Sequence, residues 1–434
     1  MFNKKFWKYF FNTLKESKWL LLRYFIVGVY LIVVGIISNR LKLNDLTYYN
    51  SMITLMFAAE MISFAFNEGF GIYINQHINE PEKSKKYAKI GFYFTTIITI
   101  IFLSLLACFP NFILKQVLNL DFEVNLTFYY IMIVAMFFDA IYSYYTHLLK
   151  KVGEFKFQLI ATILQSSLII LSLILITIFG KLLLLPISII YVASNVISVT
   201  FSHFSLSKNK TYAVNLLKFE KLNLSKQELK TVTLRALSEV VWEIGYFFIS
   251  LYILKTDVIV YNQYCYFENA LDILNGMFFA FVSVVSIKLC RAIGEDKKEE
   301  AYEHGVNAIK STFVIWFIYA LFSMSLYIPL KYGLNIELRS TALVSLILFL
   351  IVALFRFTEW NIGTYVLGQS EYFSKAGLIL ETIFMCYWIT LYLIADLLPN
   401  SVYLIYTFIA AENIIKTTIS FYVFKNKKWI QKSE

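Results

Sequence analysis

Four carboxylates fall in pairs inside otherwise apolar sequence: Glu239 with Glu243, and Glu268 with Asp272. A spacing of four stacks each pair on one face of a helix. Hydrocarbon offers an ion no water, so a carboxylate at membrane depth is expensive and marks a functional position by default. Such a stripe belongs on a cavity wall, where it can load a proton or a metal cation, or attract an organic cation. Glu60 and Glu359 are further acidic positions within apolar stretches, with Asp139 and Arg356 as other polar positions of the same kind. Arg356 is suited to neutralise one of the carboxylates, since buried charges are normally paired. Trp242, Tyr246, Tyr261 and Tyr264 lie near the acidic stripe in sequence and offer ring faces to a flat cation.

The elements that must position these residues are membrane-spanning helices. With 434 residues, 59% hydrophobic and only 16% charged, and a mean hydropathy of +0.64, the chain is too apolar for a soluble protein of its size. The apolar blocks do not alternate in polarity as barrel strands would, so the class is all-α and polytopic. About 12 spans are expected, near 19–38, 47–74, 90–109, 126–147, 158–179, 183–204, 232–254, 258–290, 307–329, 341–366, 376–397 and 402–424. The second and eighth are too long for a perpendicular crossing, so they should tilt or extend past the inner face.

The formal net charge of +10 does not point to nucleic acid, because the cations alternate from loop to loop. Counted by side, 29 lysines and arginines fall on one and 7 on the other, which places both termini in the cytoplasm. The four cysteines, Cys108, Cys265, Cys290 and Cys386, stand singly and argue for neither a disulfide framework nor zinc. The block Trp19 to Ser38 is long for a signal peptide and has no small-residue cleavage site after it, so it should remain as the first span. Residues 2–18 mix aromatics with lysines and are expected either to lie along the inner membrane surface or to serve as a basic flank that orients the first span.

The chain also repeats itself. Shifted by 212 residues, Asp45, Tyr49, Asn50 and Glu60 fall on Asp257, Tyr261, Asn262 and Asp272. Shifted by 215, the loop INEPEKSKKY falls on IGEDKKEEAY without a gap. Two homologous halves of this kind are one of the plans from which transporters are built. The expected organisation is an interfacial segment at 1–18, a six-helix lobe at 19–204, a cytoplasmic linker at 205–230, a second six-helix lobe at 231–424 and a basic tail at 425–434, the two lobes being pseudo-symmetric.

The order of these features resembles the multidrug and toxic compound extrusion (MATE) transporters, within a superfamily that also holds oligosaccharide-lipid flippases. The likeness rests on the long second span of each half with its charged loop and on LSEVVWEIGYFFIS with Gln263 following 24 residues after Glu239. It rests also on the closing segment from Glu412 to Ile430. The chain departs from the family in its first span, which has neither an acidic residue nor a proline, and so coupling is expected in the second lobe. The resemblance implies an H⁺- or Na⁺-coupled antiporter in the plasma membrane, exporting organic, cationic solutes by alternating access. No cofactor other than the coupling ion is implied, and a monomer is expected. The resemblance favours Glu239 as the coupling residue, whereas its greater depth favours Glu243.

The alternative within the superfamily is a flippase for lipid-linked oligosaccharide, whose cleft should be basic to hold a diphosphate. No enzyme signature is present: there is no phosphate-binding glycine-lysine loop and no HExxH. A polysaccharide polymerase would want a large outside loop with paired Arg, His or Asp, and the longest here runs only from about Pro110 to Asn125. A receptor that transports nothing is disfavoured by the duplicated carboxylate-bearing helices.

Overall fold

The computed structural model describes residues 3–38, 41–117, 125–179, 183–209, 212–218, 224–333 and 342–430, excluding certain side chains within these spans, among them those of 269–274. Among the described residues the chain is helical and contains no strand. A short helix, α1 (Lys4–Glu16), precedes twelve long ones. These are α2 (Lys18–Ser38), α3 (Leu43–Gln76), α4 (Pro81–Cys108), α5 (Leu126–Lys151), α6 (Phe155–Phe179), α7 (Leu184–Ser207), α8 (Lys226–Thr256), α9 (Val258–Gly294), α10 (Lys298–Gly333), α11 (Ala342–Glu359), α12 (Glu371–Leu393) and α13 (Val402–Lys425). Among the described residues, ten of these helices are long and apolar enough to cross a membrane. The protein is therefore an all-α, multi-pass membrane protein.

Helix boundaries follow local chemistry. Asp257 closes the turn between α8 and α9 tightly, because its carboxylate accepts from the backbone N–H groups of Ile259 and Val260 and starts α9 at once. Asn125 caps α5 in the same way through Thr127 and Phe128. Between α5 and α6, Gly153 takes φ 87°, a conformation that costs other residues a steric clash. α3 and α9 have 34 and 37 residues, so at about 1.5 Å each they run roughly 50 to 55 Å and exceed a 30 Å core.

The helices form two compact units, Leu22–Lys226, and Met1–Leu21 with Gln227–Glu434. In the first, α3 and α7 both pack on α5 around Tyr48, Met52, Phe128, Tyr129 and Met132. The sharp close approach of α3 to α5 is tied by Ser63 Oγ donating to Ala140 O at 2.9 Å. Residues 212–218 fold back onto this unit: Tyr212 is buried and its hydroxyl lies 2.9 Å from Ser84 Oγ, while Tyr93 donates to Leu217 O at 3.0 Å.

In the second unit, Phe278 stacks on Phe357 with centroids 4.5 Å apart, within a core that also holds Tyr264, Phe349 and Trp388. The N-terminal segment belongs here. Phe6 and Phe10 of α1 are buried in this core, and Lys5 pairs with Glu303 at 2.7 Å. The segment is thus more than a basic flank: its apolar face packs on protein, while Trp7 and Phe11 stay exposed.

Candidate functional site

The predicted acidic stripe is divided between different partners. On α8, Glu239 is buried and forms an ion pair with Arg235 one turn earlier. Glu243, one turn further, is half-buried and has no cationic partner among the described residues. On α9, Glu268 and Tyr264 share a face and grip Arg356 of α11: Nη1 donates to Glu268 Oε1 at 2.5 Å and Nη2 to the Tyr264 hydroxyl at 3.0 Å. The guanidinium lies 5.8 Å from the Trp360 ring centroid. Arg356 is therefore the neutralising residue for Glu268. The side chain of Asp272 lies outside the described residues.

The aromatic candidates also separate. Trp242 and Tyr246 stack at 5.7 Å with planes 20° apart, and Trp360 meets Trp242 edge-on at 6.3 Å. Tyr264 is committed to Arg356, and Tyr261 is half-buried against the core of the unit. Glu359 is buried at the point where α11 widens into a looser turn over Trp360–Val366. Interruptions of this kind inside helices are frequent at functional sites. Asn361 secures the turn by donating to Ala308 O at 2.8 Å and Thr312 Oγ1 at 2.6 Å.

The N-terminal unit holds a cavity of about 290 Å³ whose polar wall includes Arg23, Glu60, Asp139 and Gln165. Of the acidic positions singled out in the sequence, Glu60 and Asp139 are found there. Ser143 donates to Glu60 Oε1 at 3.3 Å. Asp139 accepts from Gln165 Nε2 at 3.2 Å, and the same amide nitrogen reaches Asn195 Oδ1 at 2.7 Å. Arg23 donates through Nε to Thr162 at 3.2 Å. Four tyrosines, Tyr30, Tyr49, Tyr142 and Tyr191, complete the aromatic lining, with the Tyr49 and Tyr191 hydroxyls 2.7 Å apart. The first span carries no acid, but α3 and α5 supply carboxylates to this unit.

Sequence reasoning passed over three kinds of residue here. Arg23 reads as a flanking cation of the first span, yet it lines the cavity; Arg235 is the cation one turn from Glu239, and the structure buries it. The cavity tyrosines are indistinguishable by type from the many at lipid-facing positions. Glu381, Glu412 and Lys416 form a buried ion-paired group on α12 and α13. The i, i+4 spacing of Glu412 and Lys416 inside an apolar span was the available signal.

No protein-family model matches the sequence, and neither does any curated protein. Solved structures do. A MATE transporter in its straight conformation superposes with a TM-score of 0.78 at 14% identity, covering 96% of this chain and 95% of that one. A multidrug resistance MATE family transporter of the MOP superfamily, in an outward-facing conformation, gives 0.76 at 14%, with 96% and 95% covered. A MOP superfamily transporter from Pyrococcus furiosus, whose binding pocket is of reverse polarity and is said to suggest a different function, gives 0.77 at 15%, with 97% and 96% covered. Likeness over nearly the whole of both chains means that this protein has the fold of the MATE transporters of the MOP superfamily.

Proposed function

We propose that the protein is a secondary transporter that exports organic cations in exchange for H⁺ or Na⁺ across the plasma membrane. The N-terminal cavity carries this reading. Its two carboxylates, Glu60 and Asp139, outnumber its one guanidinium, and its tyrosines present ring faces suited to a flat cation. A volume of about 290 Å³ approaches the lower end of the range typical of small-ligand sites, about 300 Å³. A proton or metal ion and a cationic solute would compete for the same negative wall, so loading one promotes release of the other.

The test is transport by the reconstituted chain of a lipophilic cation such as ethidium, under separately imposed H⁺ and Na⁺ gradients. Glu60→Gln with Asp139→Asn should slow gradient-driven transport by on the order of tenfold or more, since each lost charge-assisted contact contributes about 1.5–3 kcal/mol. Unchanged transport in that variant would move the site elsewhere. No transport across a broad cation panel, with rescue of a flippase-deficient strain, would favour the oligosaccharide-lipid reading instead.

The proposed orientation places both termini inside, from the excess of cations in alternate loops. A cysteine introduced at Asn223, between α7 and α8, should be inaccessible to an impermeant maleimide in intact cells and labelled after permeabilisation. Labelling from outside would invert the topology.

A further inference from the structure

The wall of the N-terminal cavity carries charge of both signs, and the two signs are not joined. Arg23 of α2 and Glu60 of α3 both line it and lie within electrostatic reach of each other, yet neither forms an ion pair among the described residues. Four other cations, all buried, are matched directly: Lys151 with Glu68 in this unit, and Arg235, Arg356 and Lys416 with carboxylates of the C-terminal unit.

Arg23 and Glu60 are kept apart because each is moored to a different helix. Thr162 of α6 accepts from Arg23 Nε at 3.2 Å and from the Tyr142 hydroxyl at 3.3 Å, and its own proton goes to Gln158 O at 3.1 Å. Glu60 is held by Ser143 of α5, and Asp139 by the Gln165 amide. Only Nε of the guanidinium is engaged in this way; its terminal Nη atoms donate to no acceptor among the described residues. Arg23 is half-buried on the cavity wall, so those donors remain within reach of a solute.

We propose that the solute held in this cavity carries an oxyanion as well as its cationic group, and that Arg23 seats the oxyanion. The proposal rests on the transport reading and narrows its substrate class to amphoteric, ring-bearing molecules. A guanidinium presents its N–H bonds as a planar fork that matches two oxygens of a carboxylate or phosphate. The cationic end would face Glu60 and Asp139, and the ring would lie among the cavity tyrosines. A solute bearing positive charge alone would close the cavity over a guanidinium of the same sign and leave its donors unmet, which is unfavourable for a charged group withdrawn from water. A purely anionic solute is disfavoured as well, because two carboxylates face the one guanidinium.

The test is equilibrium binding of a matched pair of dyes to the purified full-length chain, read by fluorescence anisotropy. One is a rhodamine with a free benzoate; the other is its methyl ester, which keeps the rings and the positive charge and lacks the oxyanion. The wild type should bind the acid about tenfold or more tighter than the ester, as expected for one charge-assisted contact. Arg23→Gln should weaken the acid and tighten the ester, and Arg23→Lys should restore part of the preference, since it keeps the charge and loses the fork. Glu60→Gln with Asp139→Asn should weaken both dyes. Equal binding of acid and ester by the wild type, equal weakening of both by Arg23→Gln, or binding of neither overturns the proposal. Should Arg23→Gln not fold, the ratio of acid to ester in the wild type against Arg23→Lys decides, and an unchanged ratio refutes the idea. Displacement of the acid by phosphatidylethanolamine in mixed micelles, whose headgroup carries the same two charges, would assign the site to a lipid and overturn the ring-bearing solute. In proteoliposomes, gradient-driven movement of the ester but not the acid would keep the transport reading and sink this one. The expected binding pattern with movement of neither dye would count against transport and leave the oxyanion seat standing.

Discussion

Glu68→Leu is expected to destabilise the N-terminal unit by about 3–5 kcal/mol, because removing one partner of a buried pair strands the other charge. Lys151 Nζ lies 2.8 Å from Glu68 Oε2, with side-chain exposures of 4% and 8%. The lysine lies against Gly71 of α3, where an added methyl would meet its Cε at 2.7 Å, so its stem has little freedom to reach water. Adding Lys151→Met removes the stranded ammonium and should recover most of the loss, since an apolar replacement of a whole buried pair is often neutral. Thermal unfolding of the detergent-solubilised chain measures both variants. A single variant that melts with the wild type would show that water reaches Lys151.

The second large effect separates two neighbouring glutamates on α8. Glu243→Gln is expected to keep the wild-type melting temperature and lose gradient-driven export, because Glu243 bonds to no cation among the described residues and can exchange one. Glu239→Gln is expected to lower stability, because it leaves the buried Arg235 guanidinium without the carboxylate bonded to it. Loss of export in that variant should therefore accompany loss of folded protein, and Arg235→Gln added to it should restore folding. Transport per folded molecule, with the folded fraction read by size-exclusion chromatography, distinguishes the two. Full export in the Glu239→Gln/Glu243→Gln double variant would remove α8 from coupling and turn attention to Glu359.

The long helices and most of their order were legible in the sequence because each depends on a local property. An apolar run of sufficient length must satisfy its own backbone hydrogen bonds in hydrocarbon, and only a helix does so within one segment. The helix ends were less legible. The third span was expected to begin near residue 90, but α4 starts at Pro81, since residues such as Lys83, Lys85 and Lys86 continue the helix into water, where hydropathy carries no signal. Two pairings were local enough to read, Arg235 with Glu239 and Lys416 with Glu412, both one helical turn apart. The rest required the tertiary structure. Arg356 meets Glu268 across 88 positions, and Lys416 meets Glu381 across 35. Asp139 finds Gln165 26 positions on, and the wall around it draws tyrosines from four separate helices. Sequence determines that a charge lies at membrane depth and must be compensated. Which group compensates it depends on which helix faces are brought together, and packing between distant segments decides that.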